Sequence, residues 1–200
     1  MEVVRHSRNR GYGRSLKDAF RWAACYEYDW LITMDCDEQH EPASLPAFFD
    51  AIKADDADII SGSRYLNQAL LPSTDMPPVD RQRINSEMTR LLNERLALGL
   101  TDAFCGFKAY RVSALGKLHI DEPGYAFPIQ FWVQVAAQHL RMREIPVRLI
   151  YNDPNRSFGG ILDNPELRLR HYRHVLTKEL AKFPDLAATP SACGCANCNK

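Results

Sequence analysis

The sequence is short of the features that would put it across a membrane, into an oxidising compartment or onto nucleic acid by bulk attraction. No apolar run approaches the roughly 20 residues that a bilayer-crossing helix needs, and residues 1–20 hold no signal-peptide core. There is no net charge: 25 basic side chains balance 25 acidic ones, so no overall field gathers nucleic acid and any anion site must be built locally. Cysteine is sparse, with six in 200 residues. Cys25, Cys36 and Cys105 stand singly in segments expected to be structured, the pattern of reduced thiols rather than of a disulfide framework. A cytoplasmic chain is expected, with peripheral attachment to a membrane left open. No internal repeat is found, and nothing before Ala187 is low in complexity.

What is present suits one α/β domain over residues 1–183, since 46% of the side chains are hydrophobic and 25% are charged. The tail, 184–200, is expected to be disordered, its composition turning small and polar from Ala187. Its Cys193, Cys195 and Cys198 offer three thiolates, one short of a structural zinc site. Between Arg141 and Lys182 nine basic residues face five acidic ones, a modest excess that reads first as a solvated helix face and second as a phosphate or membrane-surface site.

Helical spacing of Leu16, Ala19, Phe20 and Ala23 predicts a helix over 14–28, followed by a short buried strand at 30–34. Leu45, Phe48, Phe49 and Ile52 mark a second helix, and residues 58–61 a second strand that ends at Gly62-Ser63-Arg64-Tyr65. Residues 66–80, with Pro72, Pro77 and Pro78, read as a mobile loop of the kind that covers active sites. Further helices are expected from about Arg81, over 127–140 and over 165–183, the last with Asn164 as N-cap and Pro165 in its first turn. Strands are expected at 106–110 and 144–151, the latter despite Pro146 near its start.

Alternate residues of an extended segment share a face, so Asp35, Asp37 and Gln39 can point together at the end of the first strand. Two carboxylates at about 4 Å repel by ~1 kcal/mol in water and ~4 kcal/mol at an effective dielectric near 20, which a bound cation relieves. Mg2+ or Mn2+ suits such a pair, because hard cations take carboxylate oxygens and leave positions for substrate phosphates. The carboxyl ends of strands are also where an α/β sheet places its ligands.

By itself Asp-x-Asp is a common loop pattern, and its surroundings give it meaning. Asp35-Cys36-Asp37-Glu38-Gln39-His40-Glu41-Pro42 resembles the D-x-D-x-Q-H-x-P signature of polyprenyl-phosphate glycosyltransferases of family 2, the group that includes dolichyl-phosphate mannose synthase. Asn9-Arg10-Gly11-Tyr12-Gly13 is similar to their N-x-G-x-G turn, Gly62-Ser63-Arg64-Tyr65 to their G-S-R-Y strand end, and Asp102 to Lys108 to their D-x-x-C-G-F-K segment. The resemblance implies a glycosyltransferase-A-type α/β sheet, the nucleotide-diphospho-sugar transferase fold, with flanking helices. The family's first two strands find no match, and Val3-Val4 reads as its third. A parallel sheet with an open apolar edge, prone to dimerise, is therefore expected.

The same resemblance implies a GDP- or UDP-linked sugar donor, a polyprenyl phosphate acceptor and an inverting displacement. It places Asp35 and Asp37 on a divalent metal and the donor diphosphate, with Asn9, Gly11, Gly13, Gln39 and Arg64 at the donor. Arg64 could instead be structural, and the glycines could simply admit the chain into a helix. Arg156, before Gly159, resembles an arginine that meets phosphate, although the family's following Ser-Lys is replaced by Ile161-Leu162. Should the acceptor be a hydroxyl rather than a phosphate, Asp102 is the candidate base, or else a turn residue. Two other readings stay open: a non-catalytic remnant that binds a partner or a phosphorylated ligand, and a metal-dependent phosphohydrolase. The second accounts for the acidic pair but for neither Gly62-Ser63-Arg64-Tyr65 nor Asp102 to Lys108.

Overall fold

The structure is a computed structural model that describes residues 2–66, 77–148, 150–151 and 157–187. Most of the expected covering loop, Arg156 and the cysteine tail from residue 188 onward lie outside the described residues. Four strands form one sheet in the order β1-β3-β2-β4: β1 (Trp30–Thr33), β2 (Ile59–Ser63), β3 (Lys108–Arg111) and β4 (Met142–Pro146). The sheet is mixed rather than parallel. β3 runs antiparallel to both neighbours, with Ile59 opposite Tyr110 and Leu31 opposite the same tyrosine, while β2 and β4 are parallel.

Side-chain alternation along these strands builds two cores. Ile59 and Tyr110 face a large cluster formed by α1 (Tyr12–Cys25), α3 (Val79–Leu96), α5 (Phe127–Ala137) and α6 (Pro165–Leu180). Their neighbours Ile60 and Ala109 face the other way, against Phe48 and Ala51 of α2 (Leu45–Lys53). The short α4 (Val112–Leu115) follows β3 directly, and α7 (Pro184–Ala187) ends the described chain. α5 is buried on all sides from Phe127 to Ala136, as expected of a helix with little charge. Its two buried amides are satisfied: Gln130 Nε2 and Gln134 Nε2 donate to the two carboxylate oxygens of Glu179 on α6 at 2.9 and 2.7 Å. α6 begins as expected, with the Asn164 side chain accepting from the Glu166 and Leu167 amides at 3.0 Å.

Two sequence expectations are corrected here. Residues 2–6 are not in a strand, and Val3 and Val4 are 77% and 62% exposed. β1 is the edge of the sheet, and among the described residues the Val3-Val4 segment does not pair with it. The last strand lies at Met142–Pro146 rather than 144–151, with Pro146 at its end instead of near its start. Its register is fixed from the beginning, because the Ile59 amide donates to the Arg141 carbonyl and Met142 sits opposite Ile59.

Candidate active site

The chain leaves β1 at Thr33, whose Oγ1 donates to the Gly106 carbonyl at 2.8 Å and ties the strand end to the segment before β3. Asp35 follows, its backbone N–H donating to His40 Nδ1 at 3.0 Å. His40 accepts at that nitrogen, so its proton sits on Nε2. Burial, outweighing the nearby Asp35 and Asp37 carboxylates, pushes its pKa below the usual histidine range. The Gln39 amide donates to Asp37 Oδ1 at 3.0 Å, closing an Asx turn around Glu38, whose φ is 62°. Gly106 is required by this packing, since a Cβ there would lie 2.5 Å from Asp35 Oδ2. Beneath it, buried Lys108 donates through Nζ to the Cys105 carbonyl and holds the turn, its own pKa lowered by burial.

Asp35, Asp37, Gln39 and His40 line one side of a cleft of about 200 Å³. Arg64 lines it too, fixed by a two-pronged ion pair with Asp102: Nε to Oδ2 at 2.6 Å and Nη2 to Oδ1 at 2.9 Å. Asp102 also accepts from Asn85 Nδ2 at 3.0 Å and from the Arg64 and Phe104 amides at 3.2 Å. Burial alone would raise the Asp102 carboxyl, but the Arg64 charge and hydrogen bonds bring it down to about 2. Burial alone would likewise lower Arg64, and the Asp102 charge more than reverses this. Of the two readings of Asp102, base towards a hydroxyl acceptor or structural residue, the geometry favours the second: it is fully buried, absent from the cleft wall and held as a carboxylate by five donors. Its work is to aim Arg64.

Asn9, Gly11 and Gly13 do not line the cleft. They admit the chain into α1, where the Gly11 amide donates to Asn9 Oδ1 at 2.9 Å. Gly11 has φ 91°, and a Cβ on Gly11 or Gly13 would come within 2.2 Å of the carbonyl oxygen of Pro123 or Glu122. The residue between them, Tyr12, is the one that reaches the cleft, stacked on Tyr125 at 5.8 Å between ring centroids. Burial, and then the Asp35 carboxylate, push its phenol far above the usual range.

The opposite wall was not legible from motifs. The Arg81 guanidinium lies 4.4 Å from the Phe158 ring centre and 5.7 Å from that of Tyr151. Arg168, buried on α6, lies 4.5 Å from the same Phe158 ring and donates to the Leu162 carbonyl and to Asp80 Oδ2 at 2.9 and 2.7 Å. Phe104, Tyr125 and Tyr172 complete an aromatic surface. Two buried polar atoms of the cleft residues have no partner among the described residues, Gln39 Nε2 and Tyr151 Oη.

Among the described residues no three His, Cys, Asp or Glu side chains gather into a metal centre. Asp35 and Asp37 facing one cleft fit a different demand: a Mg2+ or Mn2+ ion held by two carboxylates, with its other positions free for phosphate oxygens.

Comparison with known proteins bears on the family and the fold. The chain is 28% identical over 167 residues to an undecaprenyl-phosphate mannosyltransferase from Micrococcus luteus, covering 81% of this chain and 67% of the relative. It is 27% identical over 150 residues to a polyprenol monophosphomannose synthase from Mycolicibacterium smegmatis, covering 74% of this chain and 55% of that protein. Among solved structures, glucosyl-3-phosphoglycerate synthase from Mycobacterium tuberculosis, in complex with Mn2+, UDP and glucosyl-3-phosphoglycerate, matches with a TM-score of 0.60 at 16% identity. That match covers 90% of this chain and 57% of the synthase, and it shows the glycosyltransferase-A-like fold, a mixed sheet with flanking helices. The sequence model of glycosyl transferase family 2 matches residues 1–118, more than half of the chain and the part that holds Asp35, Asp37 and Arg64: the chain belongs to glycosyl transferase family 2.

Proposed function

We propose that the chain transfers a hexose from a GDP- or UDP-linked donor to a polyprenyl phosphate by metal-assisted, inverting displacement. The observation that carries this is the division of one cleft between Asp35 and Asp37 on one wall and the Arg64, Arg81 and Arg168 guanidiniums on the others. A phosphate oxygen of the acceptor attacks the anomeric carbon, the bond from that carbon to the donor diphosphate breaks, and the nucleoside diphosphate departs. A divalent cation held by Asp35 and Asp37 would neutralise charge on the departing diphosphate. Arg64, immobilised by Asp102, holds a positive charge beside the same group without having to reorganise. The attacking oxygen is already anionic, so no general base is needed, in keeping with Asp102 being occupied by Arg64. The aromatic wall excludes water from a reaction that would otherwise lose the sugar to hydrolysis. Both relatives carry polyprenyl acceptors in their names, and the solved synthase holds Mn2+ with a uridine nucleotide.

No described helix is long and apolar enough to cross a membrane. The test is titration calorimetry with UDP-glucose and GDP-mannose, with and without Mn2+, on the native chain and Asp37→Ala. Metal-dependent binding of one nucleotide sugar, lost on substitution, is expected. Binding of neither by a folded sample would overturn the proposal and favour a non-catalytic role.

A further inference from the structure

We propose that Tyr151 is a specificity-determining residue whose hydroxyl bonds a hydroxyl of the transferred hexose. This contact rests on the proposed function. Tyr151 belongs to none of the motifs that carry the family resemblance, and it follows β4, on the far side of β2 from the acidic loop. Its Oη is buried without a partner among the described residues, as is Gln39 Nε2 of the same cleft. A hydroxyl removed from water without a partner is destabilising, and it persists where something outside the folded chain completes it.

The missing partner is neutral rather than ionic. The cleft already holds Arg64, Arg81 and Arg168 for phosphate groups, and a phenol and a carboxamide add hydrogen-bonding capacity without adding charge. Around them lie Phe104, Tyr125 and Phe158, rings suited to the apolar faces of a sugar. Neutral hydrogen bonds on an aromatic wall match a pyranose, whose hydroxyls both donate and accept. The ring of Tyr151 is held for this by the Arg81 guanidinium, 5.7 Å from its centre. An ordered hydroxyl directed at one sugar oxygen discriminates strongly between epimers, because the wrong sugar leaves it unsatisfied.

Tyr151→Phe separates this contact from structure. The substitution deletes one oxygen with no described partner, so the unliganded variant should melt at or above the native temperature. Calorimetry with Mn2+ would compare GDP-mannose and UDP-glucose with GDP and UDP alone. Expected is a roughly three- to thirty-fold weakening for the nucleotide sugar that the native chain binds, with the matching nucleoside diphosphate unchanged. Equal effects on both, or none on either, would overturn the contact and leave the donor reading standing. A loss confined to citronellyl phosphate, a short polyprenyl phosphate, would assign the hydroxyl to the acceptor and likewise overturn it. A native chain that binds no nucleotide would overturn the proposed function and this contact together.

Discussion

At the scale of single residues, the site depends on positions whose side chains never touch a ligand. Gly106 is the clearest case. Its φ is ordinary, so its lack of a side chain answers not a backbone need but the Asp35 carboxylate, which occupies the space where a Cβ would stand 2.5 Å from Oδ2. Gly106→Ala should therefore displace the carboxylate more readily than the backbone, because a side chain yields before a packed main chain does. The expected outcome is a loss of Mn2+-dependent nucleotide-sugar binding of roughly ten-fold or more, with stability changed by no more than about 1 kcal/mol. Calorimetry and urea unfolding of the same preparation check both halves. Asp102 stands in the same relation to Arg64. The motif that contains Asp102 and Gly106 was visible in the sequence, but the division of labour within it was not. Burial and partners assign those roles, and neither can be read from residue order.

At the scale of elements, most of the fold was legible because its signals are local. The helical spacing in α1, the Asn164 cap before Pro165 and the apolar run of β1 each specify one element without help from the rest. β4 was misplaced for the opposite reason. Its register comes from pairing with β2, beginning at Met142 opposite Ile59, and only that partner shows that Pro146 closes the strand. The entry to α1 is an element whose purpose the sequence left open between a turn beside the donor and simple admission to the helix. Gly11 and Gly13 look like residues that let a ligand approach, yet they bring α1 against the carbonyls of Glu122 and Pro123. Gly13→Ala would force a Cβ to 2.2 Å from the Glu122 oxygen, a backbone atom that cannot swing away. Overpacking of this kind costs about 1–3 kcal/mol, and thermal or urea unfolding should show a loss in that range. Tyr12 would move with the helix, so donor binding should weaken as well.

At the scale of the whole molecule, the cleft is assembled from segments far apart in the sequence, and this sets how far sequence reasoning could go. The acidic wall is one contiguous loop and was found. Arg81, Tyr125, Tyr151, Phe158 and Arg168 come from separate elements that converge only once the two cores are packed, so no local pattern announces them. The same assembly fixes how the molecule answers to acid. Asp102 is held at about 2, below its ordinary value of 3.8, by Arg64 against the opposing effect of burial. Asp18 and Asp58 are lowered as well, first by hydrogen bonds from Arg14 and Arg141. A carboxyl lowered in the folded state contributes stability that is fully present above its unfolded value and is lost as pH falls through the folded one. For Asp102 that contribution is roughly 2–3 kcal/mol, present above about pH 4 and lost towards pH 2. Urea midpoints measured from pH 6 down to pH 2 should therefore hold steady at first and then fall below about pH 4. Asp102→Asn leaves the Arg64 guanidinium, 21% exposed at the cleft wall, without its partner and should cost about 3 kcal/mol at neutral pH, the lower end for a broken buried pair. The variant should also lose much of the acid dependence, because the group whose protonation drives it is gone. A variant as acid-sensitive as the native chain would show that the surface carboxylates, not the Asp102–Arg64 pair, govern acid unfolding.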